Sequence, residues 1–140
     1  MIIKFKKLNP DAKIPNYAHA GDAGMDIYSI ENIIIKSNET KTIKTGLSGE
    51  IEEGYVVYFW GKSGLAQKGI DSLAGVIDSG YRGEWQVVLH NLDDTDYVVN
   101  KGDKIVQAII QKVDQAEIIE TIHLSDSSRG IGGFGSTGIK

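Results

Sequence analysis

Apolar residues recur along this chain in short, punctuated runs. Stretches rich in Ile, Val, Thr and Tyr are separated by glycine or by Asn and Asp, and that pattern predicts many short strands rather than helices. Strands are expected over Ile2–Lys6, Met25–Ile30, Thr40–Thr45, Tyr55–Trp60, Trp85–Asn91, Tyr97–Asn100, Lys104–Val113 and Ala116–Ile122. An all-β sandwich or barrel follows. The run YVVYFW at Tyr55–Trp60 is apolar on both alternating faces, so this strand should be covered on both sides by a core or a subunit interface. Trp60 and Trp85 are expected to pack there. The segment AGVIDSGYRGEWQVV, 74–88, reads as a hairpin turning at Ser79-Gly80, with glycine supplying the positive φ of a tight turn and Asp78 and Tyr81 flanking it. From Arg129 onward the chain is glycine-rich without strand pattern, which predicts a mobile tail.

Length and composition narrow the class. A chain of 140 residues suits one domain around one core, and no internal repeat or interdomain linker interrupts it. With 41% hydrophobic and 24% charged residues, neither disorder nor a membrane span is suggested. The opening MIIKFKKLNP is too short in apolar residues for a signal sequence, and no apolar run approaches the ~20 residues that cross a bilayer. A cytoplasmic location is the default expectation, with no membrane partner. The chain has no cysteine, which excludes disulfides, thiolate zinc sites and cysteine nucleophiles. His19, His90 and His123 have no ligand spacing, so any metal should be hard and oxygen-bound. A net charge of −4 argues against a nucleic-acid partner, whose backbone requires clustered Lys and Arg. A small anionic ligand remains open.

The tail carries the first chemical signal. A plain flexible tail needs neither an arginine nor an aromatic residue among its glycines, and RGIGGFGSTG, 129–138, has both. Arg129, Ser136 and Thr137 can donate to phosphate, glycines such as Gly135 let backbone N–H groups approach an anion, and Phe134 offers a flat face to a base. No GK[ST] opens a helix here, which excludes a Walker loop. This pattern closely resembles the fifth signature of the trimeric dUTP pyrophosphatase family. Four further stretches resemble the other signatures in order: AGMDIYS with Asp26, GKSGLA with Lys62 and Ser63, GVIDSGYRGE with Asp78 and Tyr81, and KGDKIVQAII with Gln107. Taken singly, each is an ordinary turn, cap or strand residue. The five in order span Ala23 to Gly138, nearly the whole chain.

The resemblance implies a jelly-roll-like β-sandwich or distorted barrel, with a β-domain over 1–128 and a glycine-rich lid over 129–140. It implies a homotrimer with shared active sites. The implied reaction is Mg²⁺-dependent hydrolysis of dUTP to dUMP and pyrophosphate. Asp78 would be the base that activates water against the α-phosphorus. Asp26 would reach the metal through water, and Lys62, Ser63, Gly64, Gln107 and Arg129 would hold the phosphates. The backbone of Ala74, Gly75 and Val76 would read the uracil edge, and Tyr81 would fill the space a 2′-hydroxyl needs. Phe134, Gly135, Ser136 and Thr137 would close over the nucleotide. Three positions depart from the family pattern: Gly61-Lys62 stands for Pro-Arg, Gly80 for a frequent aspartate and Lys104 for a frequent arginine. Lysine keeps the charge but loses the planar fork. Two alternatives share the fold. A dCTP deaminase would need a glutamate where this chain has Val88, and a nucleotide-dependent, non-catalytic regulator would not need Asp78.

Overall fold

The computed structural model describes residues 1–133. It contains eleven strands and one helical turn: β1 Lys4–Lys7, β2 Met25–Tyr28, β3 Ile33–Ile35, β4 Thr40–Lys44, β5 Leu47–Glu50, β6 Tyr55–Trp60, α1 Ser63–Ala66, β7 Ile70–Leu73, β8 Val76–Asp78, β9 Gln86–Asn91, β10 Tyr97–Val99 and β11 Lys104–Lys112. The fold is all-β, as the strand pattern predicts, and jelly-roll-like, as the resemblance implies. A four-stranded sheet β2-β11-β6-β8 faces a three-stranded sheet β4-β9-β7, and the pairs β1-β5 and β3-β10 complete the shell. Every pairing is antiparallel.

The core explains why these segments extend. Met25, Ile27, Val57, Phe59, Ile77 and Ala108 from the four-stranded sheet meet Ile43, Ile70, Val87 and Leu89 from the other. Their period of two along each strand puts one face inward. Trp85 lies fully buried where the sheets converge, with its ring edge-on to Phe5 at 5.1 Å and to Phe59 at 5.9 Å. Gly49 makes room for it: a Cβ at that position would lie 2.3 Å from Trp85 Cζ2.

Four expectations are corrected. The strands β3, β5 and β7 were not anticipated, because III, LSGE and IDSL are too short or too polar to show a period of two. The stretch 74–88 is not a hairpin. β8 pairs with β6, whereas β9 pairs with β4 and β7, so the two flanking strands belong to different sheets. The positive φ angles fall not at Gly80 but at Ala74 (φ 60°) and Gly75 (φ 147°), where the chain leaves β7 and crosses into the other sheet. Gly75 touches β6 so closely that a Cβ would lie 2.8 Å from Phe59 Cβ, and its carbonyl accepts the Phe59 N–H at 2.8 Å.

Trp60 is the third correction. Unlike Trp85, it is 60% exposed, because alternation from buried Val57 and Phe59 carries it to the outer face. The fourth is the segment Ala116–Ile122, which forms no strand. It continues from β11 as extended chain with Ile118 96% and Ile122 90% exposed. Its apolar residues fit a strand pattern, yet no strand among the described residues pairs with it.

Since Gly49 is absent from the positive-φ residues, the effect of Gly49→Ala should be steric alone. Overpacking against Trp85 should cost about 1–3 kcal/mol, read as a lower urea midpoint with unchanged slope. An unchanged midpoint would show that the indole has room to yield.

Candidate active site

Pairing register sets the first group of polar residues. Asp26 on β2 lies opposite Gln107 on β11, and Gln107 lies opposite Trp60 on β6. Cross-strand partners share a face, so these three form one row on the outer side of the four-stranded sheet. The chain then leaves β6 through Gly61 and Lys62 into the single turn α1. The Lys62 backbone is extended (φ −86°, ψ 132°) and its carbonyl accepts the N–H groups of Leu65 and Ala66 at 2.9 Å each. The N–H groups of Ser63 and Gly64 at the start of the turn have no intrahelical partner, and both residues are exposed.

Asp26 is the electrostatic centre of this row. It is buried, 2% exposed, yet each carboxylate oxygen meets an ammonium group. Lys62 Nζ donates to Oδ1 and Lys104 Nζ approaches Oδ2, both at 2.6 Å. Burial alone pushes the Asp26 carboxyl up, but hydrogen bonds and charge from Lys104 and Lys62 outweigh it and hold the pKa below its ordinary 3.8. Asp26 in turn pushes the Lys104 ammonium above the ordinary lysine range. Two cations on one anion leave a surplus positive charge beside Gln107, which suits a polyphosphate.

The second group lies at the edge of the same sheet. A cleft of about 250 Å³ is lined by Leu73 through Asp78, Tyr81, Glu84, Gln86 and Val88. It holds Ala74, Gly75, Val76, Asp78 and Tyr81 together, as the sequence leads one to expect. Asp78 is exposed at the end of β8, where its carbonyl accepts the Tyr81 N–H at 3.0 Å. Val88 brings no acid to the cleft. Because β8 is an edge strand, its outward N–H and C=O groups are unpaired.

The two groups are not together within one chain. Asp78 sits opposite Val56, four residues along β6 from Trp60 and two strands beyond β11. At about 3.3 Å per residue and 4.8 Å per strand, Asp26 and Asp78 lie on the order of 20 Å apart on one face. Arg129 lies elsewhere again, exposed in a turn where its Nε donates to the Gly132 carbonyl at 2.9 Å. Phe134, Gly135, Ser136 and Thr137 lie outside the described residues. The residue that sequence reasoning left off the site is Lys104. Its signal was legible as a cation at the start of the strand that carries Gln107, but only the register brings it to Asp26.

The dUTPase family profile matches residues 10–138. The chain belongs to the dUTPase family. A deoxyuridine 5′-triphosphate nucleotidohydrolase of Nautilia profundicola is 52% identical over 141 residues, covering 99% of both chains. The Staphylococcus bacteriophage 80alpha dUTPase, solved with dUpNHpp, superposes with a TM-score of 0.92 at 29% identity over 99% of each chain. A dUTPase of phage phi11 of S. aureus, described with a structural Mg(II) ion, is 25% identical with a TM-score of 0.84, covering 90% of this chain and 100% of that one. This dUTPase therefore hydrolyses dUTP. Among the described residues of the enzyme, no helix is long and apolar enough to cross a membrane.

The lowered pKa of Asp26 fixes the sign of a pH effect. A carboxylate depressed in the native state contributes stability above its unfolded value, and that contribution is lost as pH falls through the native value. In EDTA, wild type should be more stable to urea than Asp26→Asn at neutral pH, with the gap closing as pH falls from neutral through and below the ordinary aspartate value of 3.8. A gap constant across that range would remove the two lysines as the source of the shift.

Proposed function

We propose that this dUTPase works as a homotrimer whose copies share active sites, converting dUTP to dUMP and pyrophosphate by water attack on the α-phosphorus. The observation that carries this reading is the separation within one chain of the phosphate row, Asp26, Lys62, Lys104 and Gln107, from the cleft that holds Asp78. Groups acting on one phosphorus must all lie within roughly 3 Å of the reacting atoms. A gap on the order of 20 Å is closed when the cleft of one copy faces the row of another.

Two surfaces support association. The outer face between row and cleft carries Trp60 and Val76, both exposed in a single chain, and the strand that bears Trp60 is apolar on both faces. The segment 114–128 extends away from β11 with Ile118, Ile119, Ile122 and Leu124 open to solvent. Apolar surface of this extent is covered by a partner in stable proteins, and a second copy is the partner the split site requires. Such an arm carries Arg129 away from its own cleft.

In the assembled site, Asp78 takes the proton of the attacking water as it bonds to the α-phosphorus, and the α–β bridging oxygen leaves with pyrophosphate. Lys62, Ser63, Gly64, Gln107 and Arg129 take up the charge of the leaving group. The backbone of Ala74, Gly75 and Val76, where the chain enters the edge strand β8, suits hydrogen bonding to the uracil edge through groups other than the Gly75 carbonyl already paired with Phe59, while Tyr81 packs beneath the deoxyribose and excludes a 2′-hydroxyl. Phe134, Gly135, Ser136 and Thr137 close over the base and phosphates, excluding water.

Magnesium fits this site through water rather than by direct ligation. Both Asp26 oxygens already meet lysines, and no cluster of three His, Asp or Glu residues occurs among the described residues. Asp26 suits an outer-shell role toward a hard ion that keeps its waters and is held mainly by the triphosphate. When bound, such an ion would offset negative charge on the phosphate oxygens.

Asp78→Asn should retain binding of dUpNHpp while kcat for dUTP falls about 10²–10⁴-fold; a wild-type kcat would take the base role away from Asp78. Sharing is tested by mixing. Asp78→Asn and Lys62→Met variants, each impaired alone, should recover activity when unfolded and refolded together, with about a quarter of sites intact in an equal mixture. Failure of properly assembled mixtures to exceed the sum of the two variants would confine each site to one chain.

A further inference from the structure

The Tyr81 ring stands against a residue with no side chain. A Cβ built on Gly83 would lie 2.3 Å from the Tyr81 hydroxyl oxygen, 2.5 Å from Cζ and 2.8 Å from Cε2. Real Cβ atoms do not approach so closely, so no other residue fits at 83 while the ring holds this position. Gly83 is not among the positive-φ residues. Backbone conformation therefore does not demand glycine here; the ring does.

The turn around Gly83 is anchored on both sides. The Tyr81 hydroxyl donates to the Glu84 carbonyl at 3.0 Å, and Arg82 Nη1 donates to the carbonyls of Ser79 at 2.6 Å and Tyr81 at 3.0 Å. Glu84 Oε1 accepts the Gly46 N–H at 2.8 Å, and the Arg82 carbonyl accepts the Ser48 hydroxyl at 2.7 Å. The turn is thus tied to β5 at Ser48 and to Gly46 just before that strand, whereas Tyr81 itself is 45% exposed and free to swing into solvent. Of the two, the ring yields.

We propose that Gly83 is a positioning residue for sugar selectivity: its missing side chain lets Tyr81 lie down along the turn and wall the cleft that holds Asp78. This rests on the reading of Tyr81 as the platform beneath the deoxyribose. A side chain at 83 drives the ring off its seat, breaks its bond to the Glu84 carbonyl and opens the wall where a 2′-hydroxyl would sit. The cost falls on discrimination more than on folding, because the displaced ring moves into water rather than into the core.

The test is a double-mutant cycle read as the ratio of kcat/KM for dUTP to that for UTP. Gly83→Ala should lower that ratio at least tenfold, chiefly through a raised KM for dUTP, with the urea midpoint close to wild type. Tyr81→Ala should lower the ratio as well, and adding Gly83→Ala to it should change nothing further, since no ring is left to displace. Equal loss on both substrates in Gly83→Ala, or an additive effect in the double variant, would overturn the positioning role while leaving Tyr81 as the platform. An unchanged ratio in Tyr81→Ala would instead remove the platform reading itself, and this inference with it. Should Gly83→Ala fail to fold while the double variant folds, the ring would not yield and the cost would fall on folding, which also overturns the selectivity role. Failure of both to fold would overturn the proposal, because the demand for glycine would then lie in the backbone.

Discussion

The pairing of β11 with both β2 and β6 is the constraint on which the site depends. Nine residues of one strand hold two neighbours in register, and every side chain on the outer face is placed by that ladder. A slip of one residue would turn Gln107 into the core and expose Ala108 in its place. The apolar inner face, from Val57 and Phe59 to Ala108, forbids the slip because it would lose its burial. Core packing therefore supplies the precision with which Asp26, Gln107 and the exit toward Lys62 are aligned.

Electrostatics acts on top of that scaffold. A buried carboxylate between two lysines is costly to desolvate and is retained only when its hydrogen bonds are well made. Here each oxygen has its own ammonium group, and the cluster keeps a net positive charge at the mouth of the row. Lys62 and Lys104 both stand where the family resemblance has arginine, and they converge on the same anion. Two point charges thus share a partner that a single guanidinium fork could have bridged.

The cleft follows a different logic. It is built at a sheet edge by a chain that changes sheets at Ala74-Gly75, with glycine required where β8 backbone presses on Phe59. Edge placement leaves backbone groups unpaired, which is a liability for a lone chain and a recognition surface in an assembly. Both the exposed face around Trp60 and the apolar arm beyond β11 show the same incompleteness. A single chain buries its core while leaving these surfaces open.

How much of this was legible beforehand depends on range. Local pattern was enough for the all-β class, for β6 and β11, and for the ordered motifs around Asp26, Lys62, Asp78 and Gln107, because strand periodicity and glycine placement act between near neighbours. It was not enough for the corner at 74–88, read as a hairpin, since whether two strands pair depends on which sheet receives each. Nor could it expose Trp60, because YVVYFW is apolar on both alternating faces and only the position of the other sheet decides which face is buried. The sequence by itself determined which residues could do chemistry and that strands would present them. Tertiary structure alone decided that Lys104 joins Lys62 on Asp26, that Tyr81 rests on Gly83, and that Asp78 stands apart from the row of Asp26 and Gln107. Those contacts come from register and sheet packing, which join residues distant along the chain.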